Sequence, residues 1–280
     1  MTAKVALVTG CSSGIGYATA VALARRGYRV YATGRTRESL EPLLREAAAQ
    51  RLAVEPVLLD LRDPASIEGA VTAMAAAGRL DVLVNNSGYG MVAALEDVRM
   101  EDVRELFEVN VFGTLHLTRR ALPLLKASRG TVVMMSSVAG RISVPLMGAY
   151  CASKFALEAL SDALRVEVRG FGVRVVVVEP GPVKTRFGQA VREHSRTYWA
   201  DPASPYARAY ATQGEWYDGG SGRFAMTADQ IAATVVQACE KRSPRARYVR
   251  MVFGRLAIGA VGLFPRRWVD TAVARRFGLG

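Results

Sequence analysis

The chain has 280 residues, half of them hydrophobic, and a formal net charge of +12. That length suits one α/β core, and no apolar run approaches the roughly 20 residues a bilayer span needs, so a soluble protein is expected. Cys11, Cys151 and Cys239 lack paired spacing and neighbouring histidines, and the carboxylates show no metal-ligand pattern, which excludes a disulfide framework and a metal site.

Lys4 to Thr9 reads as a buried strand, followed by Gly10-Cys11-Ser12-Ser13-Gly14-Ile15-Gly16 and a helical pattern from Tyr17 to Arg26 that stops at Gly27. Glycines in this position let the backbone turn sharply and approach a pyrophosphate, whose charge then meets the free N–H groups and positive end of the helix. Tyr28 to Thr33 is predicted as a strand, Glu38 to Gln50 as a helix, Ala53 to Asp60 as a strand, Pro64 to Ala77 as a helix and Leu80 to Asn85 as a strand. A single long helix is predicted over Val98 to Lys126, then a strand over Gly130 to Ser136, a helix over Tyr150 to Arg169, and a valine-rich strand over Val173 to Glu179. Near-continuous valine suits a sheet covered on both faces. Thr227 to Glu240 reads as a helix and Arg247 to Val252 as a last strand, completing a doubly wound parallel sheet.

Residues 183–226 interrupt the alternation with no clear period. They hold Phe187, Tyr198, Trp199, Tyr206, Tyr210, Trp216 and Tyr217, too many aromatics for disorder, and read as a substrate lid. Their apolar content implies a lipophilic substrate, although the aromatics could equally pack on the fold.

Tyr150 and Lys154 lie four apart on a predicted helix and so share one face, and Ser137 precedes the tyrosine by thirteen residues at the end of an apolar run. A phenol titrates near about 10, and a fixed cation beside it would favour phenolate, which points to proton transfer in a redox enzyme. Thr33-Gly34-Arg35-Thr36-Arg37 carries no acid where this fold would bind an adenine ribose 2′-hydroxyl, and Arg35 could meet a 2′-phosphate instead. NADP(H) is therefore preferred, with NAD(H) as the alternative.

With these residues in place, the chain resembles the short-chain dehydrogenases/reductases over nearly its whole length. Thr9-Gly10-x-x-x-Gly14-Ile15-Gly16 matches the family's cofactor loop, and Asn85-Asn86-Ser87-Gly88 its fourth-strand motif, with Ser where Ala is usual. Asn110, Ser137, Tyr150 and Lys154 match its catalytic positions, and Pro180-Gly181-Pro182-Val183-x-Thr185 the segment laid against the nicotinamide. Tyr150 through Glu158, the Gly181-Pro182-Val183 turn and Arg247-Tyr248 are most similar to the branch containing 17β-hydroxysteroid and retinol dehydrogenases.

The resemblance implies a single Rossmann-type domain over 1–253, with a basic amphipathic extension over 254–280. Cofactor contacts are implied for Gly10, Ser12, Ser13, Gly14, Ile15 and Gly16, for Asp60 and Leu61 at the adenine edge, and for Asn86 and Gly88 under the adenosine ribose. Tyr150 and Lys154 would meet the nicotinamide ribose, and Pro180, Gly181, Val183 and Thr185 the nicotinamide. Tyr150 is expected to pass a proton to a carbonyl oxygen held by Ser137, while Lys154 lowers the tyrosine pKa and Asn110 bridges the lysine to a relay water. Non-redox relatives that use nicotinamide transiently, and nucleotide sensors without turnover, are the alternative readings. His116 and His194 have no partner in the sequence that suggests catalysis.

From Lys241 to Arg276 ten basic residues face one acid, Asp270, a net +9. No nucleic-acid motif accompanies them, so nucleic-acid binding is not expected. Leu256 to Phe264, followed by Pro265-Arg266-Arg267-Trp268-Val269, would suit peripheral contact with a membrane headgroup region, or packing over the cleft or a partner subunit. The first strand starts almost at the N-terminus, leaving no room for a signal segment, and a cytoplasmic location is expected. Homodimers or homotetramers through residues 98–126 and 150–170 are implied by the resemblance.

Overall fold

A computed structural model describes residues 3–218, 225–251, 258–259, 264–277 and 279. β1 (Val5–Val8) leads to α1 (Gly14–Arg25), β2 (Arg29–Gly34), α2 (Glu41–Ala49), β3 (Val54–Leu58), α3 (Pro64–Ala76) and β4 (Val82–Asn85). Then come α4 (Met100–Phe107), α5 (Thr114–Ser128), β5 (Thr131–Met135), α6 (Gly148–Glu167) and β6 (Arg174–Pro180). The chain continues through β7 (Val183–Lys184), α7 (Phe187–Trp199), α8 (Ala207–Asp218), β8 (Met226–Thr227), α9 (Ala228–Glu240), β9 (Arg247–Arg250) and α10 (Arg266–Phe277).

Seven parallel strands lie in the order β3-β2-β1-β4-β5-β6-β9, with Leu7 of β1 in register with Tyr31 on one side and Leu83 on the other. Alternate residues of each strand feed opposite cores, as a pleat of period two requires. Leu7, Leu83 and Val132 pack with Leu117 of α5 and Leu157 of α6; Ala6, Val84 and Val133 pack with Leu23 of α1 and Ile231 of α9. Each fully buried leucine contributes about 2 kcal/mol relative to exposure. Strand order reverses between β1 and β4, which opens a crevice beyond their C-terminal ends.

Local chemistry sets several helix starts. Asp63 caps α3 by accepting from the Ala65 N–H, with Pro64 in the first turn, and Thr227 and Gln230 form a reciprocal capping box on α9.

Two expectations are corrected. The helix predicted over 98–126 is two helices joined by a π-turn over Glu108–Gly113. There Gly113 packs so tightly that a Cβ would lie 2.1 Å from the Leu61 carbonyl oxygen, and Asn110 is tied by its amide to the Tyr89 backbone. The segment expected to be an aperiodic lid is not aperiodic: among its described residues it forms α7 and α8. Their seating comes from elsewhere in the chain: Tyr198 bonds Asp102, Trp199 Nε1 donates to the Val92 carbonyl at 3.1 Å, and Tyr206 and Tyr210 donate to Glu96 and Asp97 at 2.9 and 2.7 Å. These aromatics therefore pack on the fold. Residues 219–224 of the expected lid lie outside the described residues, as do the side chains of Trp216 and Tyr217, Val252 of the expected last strand, and 254–257, 260–263, 278 and 280 of the C-terminal extension. Among the described residues no helix is long and apolar enough to cross a membrane.

Candidate active site

A cleft of about 1610 Å³ occupies the crevice. Its floor is the turn after β1, built for close approach. Gly10 and Gly14 have φ of +70° and +61°, where a side chain is strained, and a Cβ on Gly16 would stand 2.1 Å from the Gly10 carbonyl oxygen. Thr9 and Asn86 lock this loop to β4. Thr9 Oγ1 accepts from the N–H groups of Asn86 and Ser87, each at 2.8 Å, and Asn86 Nδ2 donates to the Thr9 carbonyl at 2.8 Å. The side chain of Ser13, at the N-cap of α1, leaves the first-turn N–H groups uncapped. A glycine cradle on a helix N-terminus fits a dinucleotide pyrophosphate.

At the end of β2, a Cβ on Gly34 would meet Ser39 Oγ at 2.8 Å and Leu40 Cγ at 2.9 Å, so no carboxylate can stand there without moving the next turn. Arg35 follows, exposed and lining the cleft. The Asp60 carboxylate is already engaged by Arg62, whose Nη2 donates at 2.6 Å and whose backbone N–H donates at 2.9 Å; Arg62 also reaches Glu105 at 2.8 Å. The Arg62 guanidinium beside Asp60 holds its carboxyl below the usual range.

At the other end α6 presents Tyr150 and Lys154, both buried. Lys154 Nζ donates to the Met135 carbonyl at 2.9 Å and stands 5.9 Å from the centre of the Tyr150 ring. Burial draws the Lys154 amine down to about 8, against an upward pull from Glu158. Burial also pushes the Tyr150 phenol up to about 12, opposed by its hydrogen bond with Ser137. Desolvation is thus the main influence on the phenol, and Ser137 is the group that opposes it. Ser137 is oriented by its Oγ, which accepts from the Ala139 N–H at 3.1 Å and donates to the Pro180 carbonyl at 3.4 Å.

Gly10, Ser12, Ser13, Gly14, Ile15, Arg35, Asp60, Leu61, Asn86, Gly88, Ser137, Tyr150, Lys154, Pro180, Gly181, Val183 and Thr185 all line this one cleft. Gly16 and Asn110 do not line it. Gly16 allows the loop to close on itself, and Asn110 Nδ2 donates to the Tyr89 carbonyl at 3.0 Å and to Ser153 Oγ at 3.1 Å, behind Gly88. A Cβ on Gly88 would stand 2.8 Å from Asn110 Oδ1 and 3.7 Å from Lys154 Nζ, so the glycine is the thin wall between the two.

Two further wall residues are not among the expected site residues, although Phe187 is among the aromatics of the 183–226 segment. Phe187 of α7 meets the Tyr150 ring at a centroid distance of 5.9 Å, and His194 stacks on Tyr89 at 4.2 Å, both in the cleft. Phe187 closely follows Thr185, but its inward aim depends on the helical path of the lid. The arrangement can hold a dinucleotide along its floor and, between Ser137, Tyr150 and the lid, present a hydroxyl, a phenol and an amine to one small polar group beside apolar walls.

Comparison with known proteins agrees with this geometry. The family described as short chain dehydrogenase matches residues 4–196. Rat estradiol 17-beta-dehydrogenase 1 is 42% identical over 194 residues, covering 67% of this chain and 56% of that protein. The NADPH-dependent 3-dehydrocapnine reductase of Ornithobacterium rhinotracheale is 32% identical over 275 residues, 95% of each chain. A solved short-chain dehydrogenase/reductase from Burkholderia phymatum in complex with NAD is similar with a TM-score of 0.79 at 27% identity, over 96% of this chain and 95% of that one.

Proposed function

The chain belongs to the short-chain dehydrogenase family of oxidoreductases, and on that premise we propose that it is NADP(H)-dependent and interconverts a ketone or aldehyde with an alcohol on a lipophilic substrate. The observation that carries this reading is the convergence of Ser137, Tyr150 and Lys154 on one end of a cleft whose other end is a glycine cradle. Gly34 and Arg35, together with the NADPH dependence of the Ornithobacterium relative, support the phosphorylated dinucleotide. The NAD complex of the Burkholderia structure makes NADH the comparison to run beside it.

Bound NADPH supplies the hydride for the carbonyl carbon. Ser137 Oγ holds the carbonyl oxygen and stabilises the charge that grows on it, while Tyr150 gives that oxygen its proton. Lys154, as an ammonium, offsets the phenolate that forms and binds a ribose hydroxyl. Asn110 fixes the backbone behind Gly88 and so the wall against which Lys154 stands. Phe187 and the α7 side of the lid keep water from the reacting group.

Absorbance at the nicotinamide band, with NADPH and NADH and a panel of lipophilic ketones and aldehydes, tests the reading against Tyr150→Phe. Turnover lost in the variant supports it, and turnover retained overturns it. A steroid ketone belongs first in the panel, because the Tyr150–Glu158 segment and the identity to the rat enzyme both favour that narrower class.

Two associations extend the proposal. Exposed Phe112 and Phe155, on the π-turn and α6, support self-association as a dimer or tetramer, checked by sedimentation. Exposed Phe264 and Trp268 beside Arg267 support peripheral contact with an anionic membrane, checked by liposome co-sedimentation with and without residues 254–280. A cytoplasmic location is proposed with them; Cys11, Cys151 and Cys239 are free and buried.

A further inference from the structure

α6 places Tyr150, Lys154, Glu158 and Asp162 at intervals of four, so the stripe that begins at the cleft continues past the catalytic pair. Glu158 is as buried as Lys154, each 5% exposed. Its Oε2 accepts from Nε of Arg247 on β9 at 3.0 Å, and that same nitrogen lies 3.2 Å from Oε1 of Glu179, a fully buried residue of β6. Nη2 of Arg247 donates to Asp162 at 2.6 Å, Arg165 shares that carboxylate, and Arg141 reaches Glu179 at 3.4 Å from the turn after Ser137.

Each of the two deep carboxylates keeps one oxygen without a partner, Oε1 of Glu158 and Oε2 of Glu179. The unpartnered Ser136 hydroxyl lies at the same spot. A Cβ on Gly140 would stand 2.8 Å from Ser136 Oγ, 3.1 Å from Glu158 Cγ and 3.1 Å from the Lys154 carbonyl oxygen. Such a cluster adds little net stability, because desolvation offsets most of the pairing. It does place a buried carboxylate one helical turn beyond Lys154 on the same face, while the ammonium itself donates to a neutral carbonyl.

We propose that Glu158 is a positioning residue: backed by Arg247 and Glu179, its carboxylate keeps the Lys154 amine in the ammonium form and thereby sets the pH range over which Tyr150 exchanges its proton. The catalytic consequence rests on the carbonyl-reduction reading above; the charge state of Lys154 does not. Burial of Lys154 works against the ammonium, and Glu158 is the group that opposes it.

The test uses the full chain labelled with 13C at lysine Cε, the Lys154 resonance being assigned by its loss in Lys154→Arg. In Glu158→Gln the Lys154 midpoint should fall by about one pH unit, a tenfold change in its proton affinity. Glu158→Asp should restore most of it, and the basic limb of the kcat profile for NADPH-linked ketone reduction should move with the midpoint. Equal midpoints in wild type and Glu158→Gln overturn the proposal, as does a rate that falls equally at every pH. Glu158→Ser is the second variant: an unmoved Lys154 midpoint in it overturns the proposal even if Glu158→Gln does not fold. Midpoints that shift as expected in a protein without ketone turnover would support the role of Glu158 and overturn the carbonyl-reduction reading alone.

Discussion

Arg186 Nη2 donates to the Ser12 carbonyl oxygen at 2.9 Å, joining the residue just before α7 to the glycine loop across 174 positions of sequence. This bond ties the start of α7 to the floor of the cleft. A single exposed hydrogen bond of this kind is worth about 1 kcal/mol. Arg186→Ala is therefore expected to weaken NADPH binding several-fold in a fluorescence titration and to speed chymotryptic cutting within residues 187–199. An unchanged Kd would mean that α7 is held by its aromatic anchors alone.

Cofactor choice should rest on Arg35, because Gly34 leaves no space for an acid. Arg35→Ala is expected to raise KM for NADPH by roughly tenfold or more, the loss of one charge-assisted contact, with little change for NADH. Equal effects on both cofactors would place the 2′-phosphate elsewhere. Gly34→Asp should lower the melting temperature as well as NADPH affinity, since its Cβ would press on Ser39 and Leu40.

Two glycines should respond in opposite ways to the same added methyl group. Gly16→Ala puts Cβ against the Gly10 carbonyl and is expected to cost about 1–3 kcal/mol, together with most cofactor affinity. Gly69, inside α3, has nothing within 4 Å of its Cβ position, and Gly69→Ala should stabilise by about 0.5–1 kcal/mol. Chemical denaturation of the two variants checks both signs, and a tolerated Gly16→Ala would refute the closed-loop account of the cradle.

Lys154 gives stability a pH signature. Its amine is drawn down to about 8 from 10.5, so between those values the unfolded chain binds the proton and the folded chain does not. Its contribution to stability therefore rises from about pH 8 to about pH 10.5, by on the order of 3 kcal/mol. Tyr150 acts later and oppositely: pushed up to about 12 from 10.0, it loses stability as pH climbs through that range. Denaturation curves at pH 7 and pH 9.5 should show wild type gaining on Lys154→Met, and parallel curves would contradict a buried amine.

The glycine loop, Ser137, Tyr150 and Lys154 are legible in the sequence because their chemistry is local: a turn needs glycine where it needs it, and a four-residue interval fixes a shared helix face. The course of α7 and α8 is not legible, because they are seated by Asp97 and Asp102, about 100 positions earlier, and Tyr198 and Tyr210 serve as anchors while Phe187, alone among the described side chains of the seven aromatics named over 183–226, lines the cleft. Arg62 hides for a related reason. Its grip on Asp60 is only two residues away, yet the bond to Glu105 that completes the trio spans 43 positions. Glu158 sits in plain sight on the Tyr150 stripe, but its partner Arg247 comes from 89 positions further on, so its meaning appears only in three dimensions.

The π-turn at Glu108–Gly113 sets regularity against aim. Deleting one residue there would let α4 and α5 run on as one uninterrupted rod, while swinging every side chain on one half by about 100°. Asn110 would leave Tyr89 and Ser153, and Gly113 would leave the Leu61 carbonyl. Straightening the helix would thus blunt the site: the irregularity is what keeps Asn110 aimed between Tyr89 and Ser153.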